Sequence, residues 1–108
     1  MLQLNDVLLA GCLAAPPDLA WTNTGTQVAT ARMVVTETRD GKTFRCYVPV
    51  EVWGKGADLL AALQDGDGLL VKGKLKWKSW EKDGQTQGML VVSAWQVQPL
   101  PAPEAIPD

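Results

Sequence analysis

Histidine is absent from this 108-residue sequence, and cysteine occurs only twice. These two residue types are the usual zinc ligands, and the chain contains no Cys-x-x-Cys pair, so the sequence predicts no metal site. Two cysteines are also too few for a small secreted domain held together by disulfides. We therefore interpret Cys12 and Cys46 as free, buried thiols.

Groups suited to catalysis are equally scarce. Without histidine, a metal cluster or a phosphate-cradling loop, general acid–base catalysis would need paired carboxylates in a cleft. Asp65 and Asp67 are close in sequence, but they are typical of a polar turn. We expect no catalytic residue, no cofactor and no enzyme activity.

Long apolar runs are missing as well. A helix that spans a bilayer needs about 20 apolar residues, and no such stretch exists, so we expect no membrane association. Residues 1–15 are apolar but lack a basic start and contain Asp6, so we expect no signal peptide. A chain of this length forms one domain and can bury a modest core without metal or disulfide.

The chain also lacks an excess of positive charge, because its formal net charge is −2. That value argues against nucleic-acid binding through bulk electrostatics. The charge distribution points the other way, since five of the ten basic residues lie between Lys72 and Lys82. The sequence therefore predicts a locally basic face on a mildly acidic domain.

This basic stretch is the most informative part of the chain. Lysine recurs at every second position from Lys72 to Lys78, and the side chains of a strand alternate with that period, so the lysines line one face. Asp83-Gly84 then signals a tight turn, as Asp40-Gly41 does earlier in the chain. Trp77 and Trp80 lie among the lysines, and cations beside flat rings suit the phosphates and unstacked bases of a single strand. The alternative is a solvated edge strand whose lysines prevent aggregation and whose tryptophans pack on the core.

The pattern of apolar residues predicts five strands and one short helix. The predicted strands are residues 4–13, 27–38 and 44–53, a basic strand from Leu69, and a last strand at 89–98 that Pro99 stops. The helix lies within residues 54–66, and its apolar stripe consists of Leu59, Leu60 and Leu63. Residues 21–25 form a turn-rich connection. Five short strands with a helix between the third and fourth indicate an all-β, five-stranded OB-fold barrel. We expect this domain to occupy residues 1–100, followed by a short, proline-rich, flexible tail at 101–108.

The third predicted strand has two distinct faces. Phe44, Cys46, Val48, Val50 and Val52 form an apolar face, which we assign to the core. The other face consists of Arg45, Tyr47, Pro49, Glu51 and Trp53. Two aromatic rings and an arginine that point away from a complete apolar face suggest a binding surface. The alternative is that Tyr47 and Trp53 pack under a loop or a partner subunit.

In order and spacing, these segments resemble the bacterial single-stranded DNA-binding protein family over roughly Leu4 to Leu100. The resemblance is carried by Asn5-x-Val7-x-Leu9-x-Gly11-x-Leu13, Pro17-Asp18-Leu19 with Trp21-Thr22, Val50-Glu51-Val52-Trp53-Gly54-Lys55, and Val71-x-Gly73-x-Leu75 with Trp80-x-x-Asp83-Gly84. It implies sequence-tolerant binding of single-stranded DNA in replication, repair or recombination, in a cytoplasmic, nucleoid-associated setting.

The resemblance also implies particular site residues. Tyr47, Trp53 and Trp80 fall at base-stacking positions of the family, and Lys74, Lys76 and Lys78 fall near residues that follow phosphates. Arg39 stands where the family has another stacking aromatic, and Trp77 is an addition. The full set of expected DNA-binding residues is Tyr47, Trp53, Trp80, Trp77, Arg39, Arg45, Lys55, Lys72, Lys74, Lys76, Lys78 and Lys82.

Several alternatives stay open at this point. The ligand is single-stranded DNA or RNA, and the family usually assembles, so we expect a homodimer or homotetramer with the first strand as the subunit contact. The family usually ends in a long linker and an acidic tip that recruits replication and repair proteins, whereas here residues 101–108 follow the predicted barrel. Replication or repair proteins therefore stay open as partners. There are two alternatives to this function. The chain is a primosomal accessory protein resembling PriB, or it is an OB-fold protein-interaction module without significant DNA binding.

Overall fold

The computed structural model describes residues 1–101, and within that range the chain forms six strands and one short helix. The elements in chain order are β1 (Val7–Leu13), β2 (Asp18–Trp21), β3 (Gln27–Arg39), β4 (Lys42–Trp53), α1 (Gly56–Ala61), β5 (Gly68–Lys82) and β6 (Gln85–Leu100). Residues 102–108 of the expected tail lie outside the described range.

Five of these strands close into a barrel. The hydrogen-bonded order is β1-β5-β6-β4-β3, and β3 pairs again with β1 at Cys12 and Leu13, which completes the ring. All pairings in the ring are antiparallel except that of β4 with β6, which is parallel over Val50–Val52. A closed five-stranded barrel with one short helix is the OB-fold architecture, so the predicted fold class is confirmed at that level.

The two long hairpins turn at the Asp-Gly pairs that the sequence indicated. Asp40 and Gly41 have φ of 53° and 74°, and Asp83 and Gly84 have φ of 53° and 78°. Two successive residues with positive φ are what a two-residue turn matched to the twist of a hairpin requires. Every residue from 74 to 90 is exposed, so the end of the β5–β6 hairpin projects beyond the core. We call residues 74–90 the hairpin arm.

The core lies inside the barrel, between the inner faces of the strands and α1. Its fully buried residues include Leu13, Met33, Val52, Leu60, Leu69 and Val71. The predicted core face of the third strand is only half right. Val50 and Val52 are buried, but Phe44 is 49% exposed and Cys46 is exposed. The reason is that the β3–β4 hairpin runs on past the barrel, so alternation continues where no element covers it.

The barrel has the predicted five strands, but the sheet contains a sixth strand that was not predicted, and the predicted end of the last strand is wrong. Asp18–Trp21, expected to be loop and turn, forms β2, which pairs along its whole length with β3. Pro99 does not end β6 but pairs with Leu69 of β5. Proline is tolerated there because β6 pairs with β4 only at residues 92–94, so no second ladder needs the missing N–H.

The helix is shorter than the sequence indicated and lies between β4 and β5. Ala57 and Leu60 are fully buried against the barrel, whereas Leu59, expected on the apolar stripe, is 48% exposed. A helix of six residues presents only one narrow apolar side, so Leu59 points outward. Within residues 1–101, no helix has the length and apolar character needed to cross a membrane.

Candidate nucleic-acid interface

One outer face of the barrel gathers residues from β3, β4, β5 and β6. Strand pairing places Glu51 of β4 beside Ser93 of β6, and Ser93 beside Lys74 of β5. Because side chains in one row of a sheet point to the same side, the alternate residues on these strands share this face. Tyr47, Trp53, Lys74, Lys76, Lys78 and Trp80 belong to it, and we call it the aromatic–basic face.

The three stacking candidates on this face are open to solvent. The exposed fractions are 49% for Tyr47, 44% for Trp53 and 42% for Trp80. Each residue is therefore about half covered by its neighbours and half available to a ligand. Rings fixed on one side and free on the other are suited to stacking on unpaired bases.

A concavity of about 260 Å³ lies on this face. It is lined by Thr30, Ala31, Pro49, Val50, Glu51, Lys78, Trp80, Met89 and Val91. Its walls are mostly apolar, and Trp80 and Lys78 bring a ring and an ammonium group to it. The volume is several times the ~30 Å³ that one water occupies in the liquid, so it can accept part of a base or a sugar.

Cations lie over two of the rings. The guanidinium carbon of Arg32 is 4.5 Å from the centroid of the Tyr47 ring, and Lys76 Nζ is 5.7 Å from that of Trp53. Both distances are within the range of cation–π attraction. These contacts hold the rings in place and put positive charge next to the stacking surfaces.

Glu51 is a buried carboxylate at the centre of this face. Its side chain is 2% exposed, and Lys76 Nζ donates to Oε1 at 3.1 Å while Lys78 Nζ donates to Oε2 at 3.4 Å. Burial disfavours the charged form, but the Trp53 side chain and the two ammonium groups outweigh it, so the pKa of Glu51 is lowered. Glu51 is therefore ionised at neutral pH.

The remaining expected site residues divide into two groups. Arg45, Lys55, Lys72 and Lys82 are exposed, and Arg45 shares the side of β4 that carries Tyr47. Arg39 lies on the opposite side of β3, where its guanidinium carbon is 5.8 Å from the Phe44 ring centroid. The structure thus does not bring Arg39 to the aromatic–basic face.

Trp77 is also directed away from this face. It alternates with Lys76 and Lys78, is 64% exposed, and lies over Gly88 on the other side of the hairpin arm, where a Cβ on Gly88 would meet its ring. The alternation of the sequence also places Trp77 opposite the lysines. The structure brings together Tyr47, Trp53, Trp80 and the lysines from 74 to 78, but not Trp77.

Three residues of this region were not among the expected site residues. Glu51 and Arg32 contact the lysines and the Tyr47 ring, as described above. Trp95, 57% exposed, follows Ala94, the partner of Val52, so it lies at the same end of the sheet as Trp53. The alternation of β4 signals the outward direction of Glu51, but no local pattern indicates its partners. Among residues 1–101 no cluster of His, Cys, Asp or Glu could hold a metal ion.

A closed five-stranded barrel with exposed rings and lysines on one outer face defines an OB-fold protein of the nucleic-acid-binding type. Residues 4–100 match the Single-strand binding protein family, and the chain belongs to that family. The single-stranded DNA-binding protein of Clostridium tetani is 35% identical over 100 residues, which cover 88% of this chain and 69% of the relative.

Thermus proteins are similar over a shorter part of their length. A single-stranded DNA-binding protein of Thermus thermophilus is 42% identical over 78 residues, which cover 71% of this chain and 30% of that protein. The crystal structure of the wild-type Thermus aquaticus single-stranded DNA binding protein superimposes with a TM-score of 0.76 at 29% identity, covering 91% of this chain and 50% of that one. This chain therefore spans about a third to a half of the Thermus proteins it matches.

Proposed function

We propose that this chain binds single-stranded DNA with little sequence preference. The observation that carries the proposal is the aromatic–basic face, where Tyr47, Trp53 and Trp80 are each about half exposed beside Lys74, Lys76 and Lys78. The rings would stack bases and the ammonium groups would follow phosphates. Membership of the family supports the same ligand, and nothing in this mechanism requires catalysis.

The two parts of the interaction should respond differently to salt. Lysine–phosphate contacts fade as salt rises, with a log–log slope of about −0.7 per charge for single strands, whereas stacking depends on ring contact. Binding should therefore weaken with salt without vanishing at moderate concentrations. Arg45, Lys55, Lys72 and Lys82 are exposed and would extend the phosphate path.

The test is a titration of the chain with oligo(dT), followed by tryptophan fluorescence at two salt concentrations. We expect quenching, because stacked bases would cover Trp53 and Trp80. Oligo(rU) of equal length in the same titration measures the preference between DNA and RNA. No quenching by either strand at low salt would contradict the proposal.

We propose further that the chain self-associates as a homodimer or homotetramer through β1. The outward residue Leu8 is 65% exposed, and β1 pairs with β3 only at Cys12 and Leu13, so one edge of Val7–Gly11 lacks a strand partner in the described residues. We also count β2 as an addition to a five-stranded barrel, which would put α1 between its third and fourth strands.

A protein-interaction role is the second candidate, favoured by exposed apolar side chains away from the proposed DNA face. Trp77 is 64% exposed and its neighbour across the hairpin, Leu90, is 55% exposed. A module of this kind, or a PriB-like primosomal accessory protein, would use such a patch for a replication or repair partner. An oligomer that does not respond to oligonucleotides would favour the interaction module. Under either proposal the chain would act in the cytoplasm near the nucleoid.

A further inference from the structure

Glu51 contacts two of the lysines that the aromatic–basic face offers to phosphate. Each carboxylate oxygen accepts from a different lysine, Oε1 from Lys76 and Oε2 from Lys78. The side chains of the lysines are 46% and 47% exposed, whereas that of Glu51 is 2% exposed. A ligand in solvent can therefore reach the ammonium groups but not the carboxylate.

We propose that Glu51 is an internal competitor for phosphate, which holds Lys76 and Lys78 in the free protein and from which a bound strand must draw them away. This inference rests on the proposed function, because it concerns the same face. It makes Glu51 an affinity-setting residue that need not touch DNA. Lys74, on the same face, has no ion-pair partner among residues 1–101 and should contact phosphate without this competition.

The physical reason is the cost of an unpaired buried charge. A carboxylate that loses both partners inside a protein is strongly destabilised, because water cannot replace them. A strand that takes both lysines from Glu51 must meet this cost, so part of the attraction between lysine and phosphate is lost. Where Glu51 keeps one of the lysines in the complex, one phosphate fewer is neutralised. On average Lys76 and Lys78 should therefore contribute less to the salt dependence than two unpaired lysines would.

The cost can be reduced if Glu51 takes up a proton. The side chains facing Glu51 include Thr30 from β3, Ser93 from β6, Lys76 and Lys78 from β5, and Trp53 from its own strand. Arg32 lies in the neighbouring row on the same side of β3, opposite Pro49. Two more charged residues lie in the row of paired residues that crosses the sheet at Glu51. Lys74 pairs with Ser93 and Asp18 pairs with Thr30, so each lies two strands, or about 10 Å, from Glu51. Lys76 and Lys78 are thus the charges in direct contact with it.

The direction of the pH effect follows from these contacts. In the free protein the lysines lower the pKa of Glu51, and drawing them to phosphate would raise it in the complex. Between the two pKa values binding would be coupled to proton uptake. Affinity should therefore increase as pH falls through the pKa of the complex and stop increasing below that of the free protein.

The first experiment compares Glu51→Gln with Glu81→Gln in oligo(dT) titrations. Both variants remove one negative charge, but Glu81 is exposed on the opposite side of the hairpin arm and has no ion-pair partner among residues 1–101. We expect Glu51→Gln to bind more tightly at low salt. Its plot of log binding constant against log salt should be steeper by up to about 1.4, for two freed charges. Raising the salt from about 50 to 200 mM would then weaken its binding up to roughly sevenfold more than that of the wild type. Glu81→Gln should keep the wild-type slope.

A second experiment leaves Glu51 in place and so does not depend on the folding of that variant. Lys74→Gln should reduce the slope by about 0.7, the value for one phosphate contact on a single strand. Lys78→Gln should reduce it by clearly less, because Glu51 already holds that charge. Equal reductions, together with an unchanged slope in Glu51→Gln, would overturn the inference.

The pH dependence provides an independent measurement. Wild type and Glu81→Gln should bind oligo(dT) more tightly as pH falls into the acid range, and Glu51→Gln should lack that part of the change. The same pH profile in all three proteins would contradict the role of Glu51. If the wild type did not bind oligo(dT) under any condition, the proposed function would fail instead, so the two failures are distinguishable.

Discussion

Trp80 and Trp77 lie on the same strand but on opposite faces of the hairpin arm. Trp80 lines the concavity with Lys78 and Glu51, and Trp77 covers Gly88 on the other side. Both rings are exposed, at 42% and 64%, so exposure alone does not distinguish them. Only the face on which each ring lies relates it to the lysines.

This placement gives a prediction for the two tryptophans. Trp80→Ala should weaken oligo(dT) binding by about 1–3 kcal/mol, or roughly five- to 150-fold in Kd, because a stacked base loses its platform. Trp77→Ala, matched in residue type and strand, should change the Kd little. The measurement is fluorescence anisotropy of a labelled oligonucleotide, which does not depend on the number of tryptophans. Equal losses in both variants would contradict the assignment of Trp80 to the binding face.

At the same scale, Glu51 marks the limit of sequence-based prediction for the site. Alternation along β4 correctly predicted that Glu51 points outward with Tyr47 and Trp53, since that rule depends only on neighbouring residues. Its burial depends on Lys76 and Lys78, which lie more than 20 residues away and meet it through the β4–β6–β5 order. The same long-range pairing places Trp95 near the end of β4 that carries Trp53.

At the scale of elements, local rules predicted the strands and both Asp-Gly turns but not the places where one element depends on another. β2 could not be recognised, because four exposed residues become a strand only by pairing with β3. The bulge near Gly73 was equally hidden. Gly73 pairs with Ala94 whereas Lys72 pairs with Gln96, so Trp95 is an extra residue on β6.

The bulge requires glycine at position 73, which gives a prediction about stability. A Cβ on Gly73 would overlap the backbone oxygen of Ser93, and that oxygen cannot move without disturbing the β5–β6 ladder. We expect Gly73→Ala to reduce the free energy of unfolding by about 1–3 kcal/mol, measured by urea denaturation.

Gly88→Ala is the matched control for that variant. Gly88 is in the same pair of strands, but the atoms nearest to a Cβ there belong to the ring of Trp77, which is exposed and can rotate away. We therefore expect a clearly smaller loss of stability. If the two substitutions destabilised the protein equally, backbone overlap would not be what makes glycine necessary at position 73.

At the scale of the whole molecule, closure of the barrel leaves one edge of β1 without a partner strand over residues 7–11, within the part of the chain that the structure describes. β1 pairs with β5 from Val7 to Cys12, but with β3 only at Cys12 and Leu13. An unpaired strand edge beside exposed apolar side chains is a surface that another copy can cover. The sequence suggested this contact because both faces of the first strand are apolar, and Leu8 is 65% exposed.

A charge at position 8 should therefore separate the subunits of the proposed oligomer. Leu8→Glu would place a carboxylate of each copy at the shared surface, where desolvation and like-charge repulsion oppose association. In multi-angle light scattering we expect its mass to shift towards the 11.7 kDa of one chain, while the wild type has a higher mass. Leu59→Glu, which changes an exposed leucine on α1 away from β1, should keep the wild-type mass.

Because the aromatic–basic face is complete within one chain, the tryptophan fluorescence of a monomeric Leu8→Glu protein should still be quenched by oligo(dT). Loss of quenching in a folded monomer would instead mean that the DNA path needs two subunits.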